Sequence, residues 1–248
     1  MDLYGWKYEG RKISDKLHEQ ILVMIGILND PEKVEGRKWP ALQKIISSEL
    51  GVATGQVRTI KRTMEEFGIL KKGSLNANDV PDGKNIFTKS GITLIDLLAT
   101  EELMRKKHDK ESEEQIREIR NIYKLYYQKV LSNYTYVEDG KVLHPLRATL
   151  KALKKFEYLD YWEWYLLNTV IRQDDNKEEE SELEECIINY RAGKLQFKES
   201  DLIENMLSHS YVLGNFEYSG LIRIVGTKEK LKITLNNDEN EIIEEIIK

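Results

Sequence analysis

Apolar residues recur at helical spacing through most of the chain. Leu17, Ile21, Met24, Ile25 and Leu28 share one helical face behind Ser14, a residue type that caps helix starts. After Asp30-Pro31 and a charged loop to Lys38, Pro40 fits a first helical position, and Leu42, Ile45, Ile46 and Leu50 form the next buried face. Gly51-Val52-Ala53 marks a turn. Thr54 is then expected to cap a third helix, whose apolar residues Val57, Ile60, Met64 and Phe67 lie close to helical period. Further helices are predicted from Ser90 to Met104 and through Ile116, Ile119, Ile122 and Tyr123. Others are expected from Pro145 to Phe156, after Asp160, from about Glu178 to Tyr190, from about Ser200 to Ser219, and from Asp238 to Lys248.

The helical pattern breaks twice in the same way. Phe67-Gly68-Ile69-Leu70 leads through a Gly/Asn/Asp/Pro-rich turn to Asn85-Ile86-Phe87-Thr88, and Phe216 to Ile224 leads through Gly226 to Lys230 into Leu231 to Leu235. Glycine just past a helix end accepts a left-handed backbone, and short apolar alternation on either side of a polar turn predicts a hairpin. Helix, glycine and hairpin in that order form the second half of a winged helix-turn-helix. The expected fold is therefore mainly α with short β-hairpins, arranged as two tandem winged helix-turn-helix modules. Residues 1–110 are expected to hold an N-terminal arm and the first module, 111–143 a connecting helix and turn, and 144–248 the second module. Tyr123, Tyr126, Tyr127, Tyr134 and Tyr136 are expected to pack the seam between them.

The longest apolar run, Ile21 to Leu28, is too short to span a bilayer, and no basic-then-apolar leader precedes it, so a cytoplasmic protein without a membrane partner is expected. One cysteine, Cys186, excludes an internal disulfide. The net charge of −5 runs against nucleic-acid binding, but it is unevenly spread. Residues 1–90 hold 15 Lys and Arg against 12 Asp and Glu, while residues 171–248 hold 10 against 18.

Catalytic constellations are missing from the sequence. His18, His108, His144 and His209 are scattered singly, and neither G-x-G-x-x-G, a P-loop nor G-x-S-x-G occurs. Pro81-Asp82-Gly83-Lys84 imitates half of a Mg²⁺-dependent nuclease motif, but Pro-Asp-Gly is turn chemistry and no second acidic strand follows. No metal site and no cofactor are expected in this chain.

Recognition chemistry is present. Removing the buried stripe from the helix that starts at Thr54 leaves Gln56, Arg58, Thr59, Arg62 and Thr63 facing outward, with Lys61 at the border. Gln can pair both edges of adenine and Arg both acceptors of guanine, which discriminates by about 1–3 kcal/mol. The alternative is a solvated face with Arg62 and Glu66 paired at i,i+4. Ser208, His209 and Asn215 on the later helix suit bases or phosphates, and Lys230 in the second turn suits a phosphate. Trp6, Lys7, Arg11 and Lys12 form an aromatic and basic arm that either enters a groove or, through Trp6, anchors on the core.

This order of pieces resembles the DNA-recognition half of type IIS restriction endonucleases of the FokI and AlwI kind and the related nicking enzymes. Tyr4-Gly5-Trp6 is similar to their arm and Phe87-Thr88-Lys89-Ser90-Gly91 to their entry from a strand into a helix. Pro145-Leu146-Arg147-Ala148-Thr149-Leu150 and Tyr218-Ser219-Gly220-Leu221 are similar to the opening and close of their second module. The resemblance implies a sequence-specific partner, double-stranded DNA. It also implies a cleavage centre, with its Mg²⁺, in a separate nuclease domain or subunit, so that this chain is a recognition fragment or a stand-alone specificity subunit. The second module departs from the family in being acidic. A winged-helix transcription regulator and a winged-helix protein–protein scaffold are the alternatives.

Overall fold

The computed structural model describes every residue except Lys7, Glu9, Gly83, Lys84, Glu204 and Asn205, with the backbone alone for residues 206–209 and 229. The protein is mainly helical, with small antiparallel sheets of two and three strands. It divides by internal contacts into two compact units, residues 9–130 and residues 1–8 with 131–248. This differs from the expected grouping of the whole arm with residues up to 110, because the first eight residues pack with the C-terminal half.

In the unit of residues 9–130, α1 (Asp15–Leu28) starts where the Ser14 side chain accepts the Leu17 N–H at 3.2 Å. It buries the apolar face its spacing predicts. A short α2 (Pro31–Val34), capped by Asp30, replaces part of the expected loop. In α3 (Trp39–Leu50) Pro40 takes the second rather than the first helical position. α4 (Thr54–Glu66) has Ala53 at its N-cap, so Thr54 is its first residue and not its cap, and no side chain caps it. Val57, Ile60 and Met64 are fully buried, as their period requires.

Gly68 then takes a left-handed φ of 64° and the Ile69 N–H donates to Met64 at 2.8 Å, closing the helix and reversing the chain. The expected first hairpin is minimal. Leu70 pairs with Phe87 in a single antiparallel bridge, flanked by hydrogen bonds from Lys71 to Ile86 (2.8 Å) and from Thr88 to Ile69 (3.1 Å). The Thr88 hydroxyl accepts the Gly91 N–H at 2.8 Å and so opens α5 (Lys89–Arg105). A side chain at Gly91 would stand 2.3 Å from the Ile69 carbonyl oxygen, so only glycine lets α5 lie this close to the reversed strand. α6 (Lys110–Ser132) completes the unit, with Tyr123 and Tyr127 buried beside His18 and Phe67.

The second unit opens with the hairpin β1 (Tyr136–Glu138) and β2 (Lys141–Leu143). It turns at Asp139 and Gly140, both at positive φ. α7 (Pro145–Phe156), β3 (Tyr158–Asp160) and α8 (Tyr161–Val170) follow. Asp160 and Glu163 form a reciprocal capping box at the start of α8. α9 (Lys177–Arg191), capped by Asn176, carries the acidic start read from the sequence. α10 (Met206–Tyr218) is shorter than expected, since a 3-10 turn at Glu199–Asp201 precedes it. β4 (Ile222–Val225) and β5 (Lys232–Leu235) form the expected second hairpin, and α11 (Asn240–Ile247) ends the chain. The three-residue β3, absent from the sequence reading, pairs with β5 to give the antiparallel order β3-β5-β4. Leu159, Ile222 and Ile233 are buried in this sheet. The arm joins the unit through a parallel bridge between Leu3 and Leu202. No helix among the described residues is long and apolar enough to cross a membrane.

Candidate functional site

The candidate surface of residues 9–130 is built on α4, which is held from both ends. At its start the Gln43 amide donates to the Thr54 carbonyl at 2.8 Å and the Ser47 hydroxyl to the Val52 carbonyl at 2.5 Å, fixing the turn from α3. At its end the Tyr126 hydroxyl, on α6, donates to the Phe67 carbonyl at 2.6 Å. Burial raises that phenol to about 12 against the opposing pull of Ser90, so it stays protonated and keeps its donor at neutral pH.

On this helix Gln56, Arg58 and Arg62 are exposed, and Thr59 and Lys61 are half-buried. Arg62 pairs with Glu66 at 2.9 Å and Lys61 with Glu65 at 3.2 Å, each one turn along. Arg58 forms no ion pair among the described residues. Thr63 is a correction to the expected outward row. It is completely buried, donating to the Thr59 carbonyl at 2.8 Å and accepting the Arg11 N–H at 2.9 Å, because the end of the arm lies over that side of the helix. Arg11 is thereby placed against α4. Lys12, next in sequence, is exposed.

An open cleft of about 630 Å³ runs along this face, with Arg58, Thr59, Lys61 and Arg62 on one wall. Leu75, Asn76 and Ala77 from the turn after α4 form the other wall, and Trp39 of α3 contributes from below. The Glu65 carboxylate accepts the Gly73 N–H at 3.0 Å and so pins that turn beside the helix. Trp39 and Asn76 also line this cleft without belonging to the recognition row that the sequence predicts. The signal for Asn76 was the polar turn itself, and for Trp39 its position at the start of a helix that packs against α4.

Several expected site residues lie elsewhere. Trp6 is buried, with its indole N–H donating to the Ile171 carbonyl at 2.9 Å and its ring edge-on to Trp164 at 5.6 Å. It anchors the arm and offers nothing to a ligand. Asn215 is also a correction, being buried with its amide donating to the Tyr8 hydroxyl at 3.1 Å. Lys7 and the side chains of Ser208 and His209 lie outside the described residues. Lys230 is exposed in the 3-10 turn between β4 and β5. The neighbouring cations are engaged: Lys228 pairs with Glu199 at 3.1 Å, Arg223 with Asp238 at 2.5 Å, and Lys232 sits over the Tyr158 ring at 4.7 Å.

No group of three or more His, Cys, Asp or Glu side chains among the described residues converges to hold a metal ion. Asp82, from the sequence that imitates a nuclease motif, accepts the Asn85 amide at 2.6 Å across its turn, and its neighbours Gly83 and Lys84 lie outside the described residues. In comparison with known proteins, no family model matches the chain and no curated protein matches it significantly.

Proposed function

We propose that this chain recognises double-stranded DNA by sequence, as the non-catalytic recognition part of a type II restriction endonuclease whose Mg²⁺-dependent cleavage centre lies in a separate domain or subunit. The observation that carries the reading is the face of α4. Gln56, Arg58 and Arg62 project from a helix clamped at both termini, and Arg58 sits within its first two turns with no ion pair among the described residues. A recognition helix presents base-reading groups from that end, and an arginine with no ion pair is free to meet guanine through both acceptors. Both units read as winged helix-turn-helix modules. In residues 131–248 the support is the order β3-β5-β4, with a short strand between two helices pairing onto the final hairpin. In residues 9–130 it is the sequence of α3, turn, α4, Gly68 and bridged hairpin. The restriction assignment adds the ordered resemblance of Tyr4-Gly5-Trp6, the Thr88 helix entry and the Pro145 helix to the recognition halves of those enzymes.

The two units contribute unequally under this reading. Base contacts fall to α4, whereas the second unit supplies phosphate contacts through Lys230 and little else, since its nearby cations are paired. Selection of bound duplexes from a randomised pool tests the proposal. An asymmetric site of a few base pairs is expected. A palindrome would favour a dimeric regulator instead, and absence of binding even at low salt would leave a protein-docking role.

A further inference from the structure

The unit containing residues 131–248 holds a cavity of about 290 Å³ between α7, the end of α8 and α9, at the small end of ligand-pocket sizes. Its floor is apolar, formed by Ala148, Ala152, Leu167, Ile171 and Leu183. One rim is basic: Arg147 and Lys151 stand one turn apart on α7 and point to the same side.

Both cations reach the carboxylate of Asp175, and Arg147 also donates to a main-chain oxygen of Lys248 at 3.0 Å. The Asp175 oxygens accept from Arg147 at 3.0 Å and from Lys151 in a very short contact. Asp175 belongs to the loop before α9 and has a positive φ of 55°, a conformation that costs free energy for a residue with a side chain. The loop is held there by its neighbour Asp174, which accepts the backbone N–H of His144 at 3.0 Å and contacts the His144 ring at 2.5 Å. A half-exposed carboxylate on a strained loop residue thus occupies the anion position at the mouth of an apolar cavity.

We infer that this cavity is a binding site for a small organic anion with an apolar body, such as a medium-chain or aromatic carboxylate, whose head group takes the place of the Asp175 carboxylate between Arg147 and Lys151. The apolar body covers the floor, where burial of hydrocarbon supplies affinity. The basic pair selects the sign of the head group. The site is independent of the DNA reading, because none of its residues belongs to the α4 surface.

Calorimetric titration of the full chain with octanoate and benzoate, alongside octylamine and octanol as cationic and neutral controls, tests it. Saturable binding of one or both carboxylates, with no binding of octylamine, is expected. Asp175→Asn keeps a residue type that tolerates the left-handed backbone while removing the competing charge, and should tighten carboxylate binding about tenfold, the order of one charge-assisted hydrogen bond. Lys151→Gln should weaken it by a similar factor. A circular dichroism melt of each variant reports folding separately from binding. Equal binding of octylamine and octanoate, no saturable binding at all, or a folded Asp175→Asn protein that binds no tighter than the natural sequence would overturn the proposal.

Discussion

Individual side chains decide how closely the helices approach the reversing strands. At Gly91 the helix α5 passes so near the Ile69 backbone that a methyl group would meet the carbonyl oxygen at 2.3 Å and the Cα at 2.7 Å. Gly91→Ala therefore forces α5 away from Ile69 and disturbs the Thr88 cap, at a cost of about 1–3 kcal/mol. Urea denaturation should show a lower midpoint, and an unchanged midpoint would mean that α5 does not sit this close. Thr63 and Asn215 show the limit of reading single residues from periodicity. Both are polar and lie beside the buried stripe of a helix, so spacing alone places them outward. Their burial comes from chain that is distant in sequence, Arg11 over Thr63 at a separation of 52 residues and Tyr8 over Asn215 at a separation of 207. Arg58 and Gln56 are legible from spacing because both stay exposed among the described residues.

Elements with local causes are the ones the sequence makes plain. Ser14 opens α1, the Asp160 and Glu163 pair opens α8, Gly68 ends α4, and each element appears within a few residues of where its capping chemistry puts it. Elements that exist only through pairing are not. The strand β3 has three residues and no period of its own, and the contact of Leu3 with Leu202 has no local signature at all. The helices α1, α5 and α6 are tied by charge. Glu101, almost fully buried, accepts from Arg105 at 2.6 Å and from Arg120 at 3.1 Å, while Asp15 pairs with the same two arginines at 3.0 and 3.2 Å. Burial pushes both carboxyls up, yet the hydrogen bonds and the two guanidinium charges outweigh it, and both titrate below their ordinary range.

His18 lies next to them and accepts or donates to the Tyr127 hydroxyl at 2.9 Å. Burial, only partly offset by Glu101 and Asp15, lowers it from 6.5 to about 4. A group whose folded value is depressed stabilises the fold above its unfolded value, and that contribution is lost as pH falls through the folded one. All three groups act in this same direction. His18 should begin to erode stability below about pH 6.5, and the loss should continue as pH falls past the ordinary carboxylate range and Asp15 and Glu101 take up protons. Urea midpoints measured from pH 7 to pH 4 should therefore fall, and His18→Gln should flatten the upper part of that decline. A midpoint independent of pH over this range would contradict the assignment of these groups.

Over the whole molecule, acidic and basic residues are segregated along the chain. The net charge of −5 comes mainly from residues 171–248, whereas the first 90 residues carry a basic excess and include the α4 face. Association with a polyanion depends on the local surface more than on the summed charge, so the net −5 does not by itself oppose the proposed function. The central claim is that α4 reads bases while Lys230 contacts only the backbone. The most direct measurement is affinity for a panel of single-base variants of the selected site, taken at several salt concentrations for the natural chain, Arg58→Ala and Lys230→Ala. Arg58→Ala should lose about 1–3 kcal/mol of discrimination at one base position and leave the others intact, whereas Lys230→Ala should weaken every duplex alike and reduce the salt slope by about one. If Arg58→Ala lowers all affinities uniformly, or changes none, α4 is not the reading helix.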